Sequence, residues 1–368
     1  HIILLLSNPN ENEVEVTLIG TGGGYGETLL LKIGKDDWVI IDSCINPNNK
    51  TPLSLEYLKK IGVDYSSVKL VICTHWHNDH ILGLGEVLKV CENAEFAFSA
   101  VSDLKKFLRL CGLDEKKYHK GSISSTTEFS KCIDIVTSKG AYCKKAMHDM
   151  LLLRADFKGL NFELYSLTPS PKTVADFETE LSELISEFGS RNTAVIKKSP
   201  NEKSVALLLK FGEHRVLLGA DLESGKSDDE GWRFIANKSN VLDSVKSKLF
   251  KVPHHGSKSS YLPKIYEEIV EKNSILKIAP FANSKLPKIE MLEIFESHSE
   301  NIFLTSNQNV SKKPKKRDKS IEKIIDRSIL NISEVKFIPG IIQSRLDLSL
   351  PNPIWKTELF ENAFKYKS

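Results

Sequence analysis

The chain has little cysteine, no long apolar run and no marked excess of either charge. Its six cysteines, Cys44, Cys73, Cys91, Cys111, Cys132 and Cys143, are spread over 368 residues and form no CxxC pair. A disulfide framework needs denser cysteine in a smaller chain, so reduced, mostly buried thiols are expected. No stretch approaches the ~20 apolar residues that cross a bilayer. The five apolar residues Ile2–Leu6 are too few for a signal peptide. The expectation is a soluble, cytoplasmic protein with no membrane partner. Lys and Arg number 51 against 48 Asp and Glu, a formal net charge of +3. That excludes a uniformly basic nucleic-acid binder, so any polyanion must be held by a local patch. A 40% hydrophobic fraction with mixed charge supplies a core and argues against disorder.

What is present reads as strands alternating with helices. Val14–Ile19, Leu29–Ile33, Trp38–Ile41 and Lys69–Cys73 are short apolar runs bounded by turn residues. Between the first two lies Gly20–Gly26, with five glycines in seven residues. A strand follows this loop where a phosphate-binding loop would need a helix, so it reads as a hairpin turn. Residues 101–155 are rich in Lys, Ser and Thr and read as an insertion or lid. Strand character returns at Phe162–Leu167, and Thr173–Phe188 has helical spacing with Thr173 as its N-cap. A second strand cluster runs through Val205–Phe211, Val216–Gly219, Leu249–Val252 and Ile275–Ala279, with helical stretches at Ala236–Val245 and Leu262–Val270. Further strands are expected at Ile302–Thr305, Val335–Ile338 and Ile341–Leu346. The layout is two strand–helix halves able to pack face to face.

The segment that carries chemistry is Val71-Ile-Cys-Thr-His-Trp-His-Asn-Asp-His80. A buried strand runs straight into His75, His77, Asp79 and His80. Residues two apart on a strand face the same side, so His75 and His77 can bind one metal ion. Asp79 and His80, on the following turn, can reach a second. Imidazole and carboxylate suit Zn, Mn or Fe, and the lack of thiolates disfavours a closed structural zinc site. Val216-Leu-Leu-Gly-Ala-Asp221 and Leu249-Phe-Lys-Val-Pro-His-His-Gly-Ser257 are two more strands that end on candidate ligands. A carboxylate such as Asp221 can bridge two cations ~3.5–4 Å apart.

These motifs in this order resemble the metallo-β-lactamase-fold superfamily, and within it the hydrolase domain of the competence protein ComEC and its soluble relatives. The resemblance rests on Ile40-Ile-Asp42, His75–His80, Gly219-Ala-Asp221 and Val252-Pro-His-His-Gly-Ser257, with Asn201 and the Ser204-Val-Ala-Leu strand beside them. It implies an α/β fold, a four-layer αββα sandwich with the metals at one edge. It places the hydrolase domain at 1–300 with the insertion at about 101–155, and C-terminal strands and a helix at 301–368 completing it. It implies two divalent ions, Zn or Mn. His75 and His77 would bind the first. Asp79, His80 and His254 would bind the second, with Asp221 bridging and Asp42 bracing the loops. His255 is then the neighbour that donates to substrate, although the two histidines can exchange roles. Where much of the superfamily has Thr-Pro-Gly-His, this chain has Thr168-Pro-Ser-Pro171 and lacks that histidine. His148 could take its place, but its surroundings read as a structural helix.

Both carbonyl and phosphoryl centres would be served by such a site. Three features point to phosphodiesters. Ser257 and Lys258, with Asn201, are donors suited to phosphate oxygens. The run Lys312-Lys-Pro-Lys-Lys-Arg-Asp-Lys319, within a loop at 311–319, has six cations and one acid. The ComEC resemblance implies DNA degradation. The expected function is therefore a metal-dependent nuclease on DNA, acting through a metal-activated hydroxide with Asp79 and His255 as catalytic residues. Lys105, Lys106, Arg109, Lys116 and Lys117 could extend a groove, with Phe107 or Tyr118 stacking on bases, although core packing is the expected fate of Phe107. The competing expectations are a small-molecule hydrolase (of a cyclic nucleotide, thioester or lactam) and a non-catalytic metal-binding module. A protein partner in a larger assembly is compatible with all three.

Overall fold

The computed structural model describes residues 6–22, 24–99, 104, 107–109, 111, 124–186, 200–307 and 337–367. The strands, in chain order, are β1 (Glu13–Gly20), β2 (Glu27–Ile33), β3 (Asp37–Ile41), β4 (Val68–Cys73), β5 (Glu95–Ser99), β6 (Cys143–Ala146), β7 (Met150–Phe157) and β8 (Leu160–Ser166). They continue with β9 (Leu207–Phe211), β10 (His214–Leu218), β11 (Ser247–Lys251), β12 (Val270–Ile278), β13 (Ile302–Leu304), β14 (Gly340–Asp347), β15 (Lys356–Glu361) and β16 (Phe364–Lys365). The helices are α1 (Leu53–Ile61), α2 (Asn78–Ile81), α3 (Leu84–Val90), α4 (Ser125–Ser138), α5 (Pro171–Ser186), α6 (Gly231–Lys238) and α7 (Ile289–His298).

Two eight-stranded sheets result, ordered β15-β14-β1-β2-β3-β4-β5-β6 and β16-β13-β12-β11-β10-β9-β8-β7. Side chains alternate between layers along each strand. Leu29, Leu31 and Ile33 of β2, and Val39 and Ile41 of β3, join the core between the sheets. Leu30, Trp38 and Ile40 face the opposite way, into a core shared with α1, α3, α4 and α5. The second sheet buries its outer face under α6 and α7, through Trp232, Ile235, Met291 and Phe295. Strands covered on both faces are apolar throughout, which explains their near-continuous hydrophobic runs. The order of layers is helix, sheet, sheet, helix, as the resemblance implies. One charged group crosses the middle: Lys277 of β12 is fully buried and donates to Val16 O (2.5 Å) and Ile342 O (2.9 Å) of the facing sheet.

β14 pairs with β1 along eight residues, from Glu13↔Asp347 to Gly20↔Gly340, with β15 beside it, while β16 pairs with β13 in the second sheet. Several sequence expectations are revised. Residues 124–155, read as insertion, build α4, β6 and β7, with Phe129, Cys132 and Val136 of α4 buried in the outer core. Phe107 is buried beside them, so it packs in the core and is not a base-stacking residue. The cap of α5 is Ser170, whose Oγ accepts from Thr173 N (3.2 Å), and Pro171 opens the helix. The stretch expected as helix at Ala236–Val245 is helical only to Lys238. Leu262–Val270 holds a π-turn at Ile265–Ile269 and then enters β12. Phe337 and Ile338 belong to no strand. The basic run 311–319, with Lys105, Lys106, Lys116, Lys117 and Tyr118, lies outside the described residues. Among the described residues no helix is long and apolar enough to cross a membrane.

Gly20–Gly26 is a hairpin turn, with Gly20 opposite Glu27 in antiparallel strands. Its glycines are required by close approach. A Cβ on Gly26 would lie 2.6 Å from Cys44 Cβ and 3.0 Å from Asp79 O.

Candidate metal centre

Four strand ends converge on one edge of the sandwich: β3 and β4 from the first sheet, β10 and β11 from the second. Each pair is parallel, so both present their C-terminal ends together, where open α/β sheets carry their sites. Past β4 the alternation slips by one residue, since Val71, Cys73 and Trp76 all face the outer core. Trp76 turns outward against Phe107, Phe129 and Phe177. His75 and His77 turn the other way, with ring centroids 4.9 Å apart. The short helix α2 then brings Asp79 and His80 round.

The structure brings His75, His77, Asp79, His80, Asp221 and His255 together. The donor atoms of Asp79, His80, Asp221 and His255 lie within 4.8 Å of one another, as do those of His75, His77 and Asp221. His80 Nε2 is 3.3 Å from Asp221 Oδ1, and His75 Nε2 is 3.9 Å from Asp221 Oδ2. His255 Nε2 is 3.2 Å from Asp79 Oδ2 and 3.4 Å from Asp221 Oδ2. Asp221 is the member common to both groups.

The outward nitrogens fix the tautomers. Thr74 Oγ1 donates to Asp42 Oδ2 (2.6 Å), so it accepts from His75 Nδ1 (3.0 Å). His80 Nδ1 donates to Asp42 Oδ2 (2.8 Å), and His255 Nδ1 donates to Ala279 O (2.8 Å). Each neutral ring therefore turns an Nε2 lone pair inward. Buried and without a hydrogen-bond partner are His75 Nε2, His80 Nε2 and Asp221 Oδ1. Orphaned buried acceptors are costly unless a cation satisfies them. Oxygen and imidazole donors with braced outer nitrogens fit a divalent ion.

The electrostatics agree. Burial acts to raise Asp79 and Asp221, yet the His80 and His255 imidazoles hold both carboxyls below the ordinary carboxylate range. Burial acts to lower His80, but Asp221, Asp79 and Asp42 push it well above the usual imidazole value. His255 is pushed up to about 10 against burial, chiefly by Asp221. Burial, reinforced by His80, lowers His75. The cavity thus favours positive charge.

The two histidines that follow β11 exchange the places first expected of them. His254, the expected ligand, faces the rim, and His255 faces the centre. Both take left-handed conformations, with φ of 46° and 54°, followed by Gly256 at 74°. Phe250 and Val252 face the outer core, so strand alternation also puts His254 on the outer side, and the turn keeps it at the rim. Its Nε2 accepts from Asn201 Nδ2 (3.0 Å), so Nδ1 carries the proton and donates to Ser257 Oγ (3.0 Å). Burial lowers its pKa, which keeps it neutral. Asn201 and Ser257 thus both meet at His254, while the Lys258 side chain is exposed. His148 packs in the turn before β7 against Phe234 and joins none of the ligand groups found among the described residues. Pro171 stands where the missing histidine would.

Sequence reading missed Glu27 and Lys251, a buried ion pair directly beneath the cluster. Glu27 opens β2 and Lys251 closes β11, each a charged residue next to a run of buried positions, which is the signal that could have found them.

A layered α/β sandwich with histidines and carboxylates converging at parallel strand ends is the architecture of a metal-dependent hydrolase. The chain belongs to the metallo-beta-lactamase superfamily, whose family model matches residues 21–268. Its solved likenesses include the Rm3 metallo-beta-lactamase, 14% identical over 55% of this chain and 58% of that one, with a TM-score of 0.29. MEM-A1, a subclass B3 metallo-beta-lactamase from a soil metagenome library, is 12% identical over 68% and 80%, at 0.35. AidC, a dizinc quorum-quenching lactonase, is 14% identical over 53% and 55%, at 0.32. No curated protein matches the chain.

Proposed function

We propose that this chain is a metal-dependent phosphodiester hydrolase, a nuclease acting on DNA. His75, His77 and Asp221 would hold one divalent ion, and Asp79, His80, Asp221 and His255 a second. The observation that carries the metal-dependent reading is the braced pair His75 and His80, whose inward Nε2 atoms, with Asp221 Oδ1, have no hydrogen-bond partner. Two divalent ions, Zn or Mn, would lower the pKa of water toward ~7 and offset charge on the attacked centre.

The chain's own residues supply the rest. Asp42 fixes the Thr74 backbone (Thr74 N to Oδ1, 2.7 Å) and orients His80 with its other oxygen. His254 holds a proton on Nδ1 beside Ser257, at the rim of the cluster. This gives His254 the substrate-facing role first assigned to His255, with Asn201 as its anchor and Lys258 nearby for phosphate oxygens. The ComEC-like resemblance of the His254-His-Gly-Ser257 motif and the basic sequence at 312–319 support DNA as substrate.

One observation favours a second reading, a small-molecule hydrolase. A cavity of about 350 Å³ is lined by Glu223 and Ser259, which neighbour His254, and by Phe177, Asp176, Glu180, Glu202 and Glu230. Among the described residues of its wall, Lys203 and Lys226 alone offset those acids, and such a wall disfavours a polyanion.

A cleavage assay on linear and circular DNA with Mn²⁺, Zn²⁺ or Mg²⁺ separates the two. Nuclease action predicts cleavage that Asp79→Ala and Asp221→Ala each abolish with the fold intact. Cleavage retained in both variants refutes the site. No DNA cleavage, with turnover of a cyclic dinucleotide or nitrocefin, selects the second reading.

A further inference from the structure

The ligand assignment makes no use of the ion pair beneath the cluster. Lys251 closes β11 and Glu27 opens β2, so the pair links the two sheets under the centre. Both are buried, 0% and 2% exposed. The Lys251 ammonium donates to Glu27 Oε1 and to Ala220 O (2.9 Å), and stands 3.9 Å from Asp221 Oδ1. Ala220 O also accepts from His254 N (2.9 Å). Ala220 has φ of 43°, a left-handed conformation that a residue with a Cβ keeps only when its surroundings impose it. The turn has no slack on its other side: a Cβ on Gly219 would lie 2.8 Å from Pro253 Cβ. The very next residue is Asp221. Glu27 meanwhile lies behind two imidazoles, 3.9 Å from His80 Nδ1 and 3.8 Å from His255 Nδ1.

We infer that Lys251 is a positioning residue for the metal centre: its ammonium clamps the Ala220 carbonyl, so that the strained turn aims Asp221 between the two ligand groups. Glu27 balances the lysine's charge. The inference rests on the metal centre proposed above.

A merely structural ion pair and a clamp respond differently to replacement. Exchanging a whole buried ion pair for apolar groups is often neutral for stability. It still removes the donor to Ala220 O. The double variant Lys251→Met/Glu27→Leu in the full chain therefore tests the clamp, read by calorimetric titration with Mn²⁺ and Zn²⁺ and by thermal melting without metal. The clamp predicts a metal-free melting temperature near that of the parent and metal affinity weakened about tenfold or more, the loss typical when a ligand's support is removed. Should that variant fail to fold, Lys251→Gln/Glu27→Gln, with side chains shorter than lysine's reach to Ala220, carries the same expectation. Parent-like binding of both ions by either folded variant overturns the clamp. Absence of metal binding by the parent chain instead refutes the metal centre itself.

Discussion

At the scale of single residues, the centre is decided by which imidazole nitrogen carries a proton. Thr74, Asp42 and the Ala279 carbonyl each take an Nδ1 proton, so in their neutral forms His75, His80 and His255 present lone pairs inward. His75 and His77 are legible in the sequence because they stand two residues apart directly after β4. His255 is not, because two adjacent histidines follow β11 and a turn with positive φ at both decides which one reaches the centre. The two histidines therefore differ in their expected variants. His255→Ala removes one of the second ion's donors and should cost bound metal along with activity. His254→Ala should keep full metal content, measured by mass spectrometry of the metal-loaded protein, while turnover falls. Equal metal loss in both variants would contradict this division.

At the scale of elements, loops do what strands alone do not. The glycine hairpin after β1 packs directly on the Asp79 backbone, so its composition serves the centre through close approach. Gly26→Ala would drive a Cβ to 2.6 Å from Cys44 Cβ and 3.0 Å from Asp79 O. Overpacking of that kind costs about 1–3 kcal/mol, and we expect urea denaturation to show it, with weakened metal binding beside it. Unchanged stability and binding would mean the loop yields freely. The buried strands were legible because both their faces are apolar. β7 was not: its exposed positions Leu151, Arg154 and Asp156 blur the pattern. The first half of β12 hides behind Glu271, Lys272 and Asn273, which are exposed. α4 lay inside a Lys-, Ser- and Thr-rich stretch, although its capping box of Ser124 and Thr127 and its buried Phe129, Cys132 and Val136 follow ordinary helix rules.

At the scale of the whole molecule, two sheets must hold a fixed separation for ligands from both to meet. Their common core does most of this, and Lys277 adds a hydrogen-bonded tie to the facing carbonyls of Val16 and Ile342. Burial drives the Lys277 pKa well below the ordinary lysine value. The unfolded chain then binds this proton at pH values where the folded chain does not, so stability gains from rising pH between the folded value and ~10.4. Lys277→Met should flatten that gain in denaturation curves taken from neutral to alkaline pH. Parallel curves would show the lysine to be charged when folded. The two-sheet architecture was legible because its motifs each follow a strand, and their order in the chain matches the order in which the sheets deliver them. The Glu27–Lys251 link between the sheets was not legible, because a charged residue at a strand end does not name its partner in the facing sheet.

The account stands most directly on the number of ions the chain binds. Inductively coupled plasma mass spectrometry of the full chain, loaded with Mn²⁺ or Zn²⁺ and freed of excess, should find two ions per chain, with Asp221→Ala losing at least one. Fewer than one ion per chain in the parent protein would contradict it.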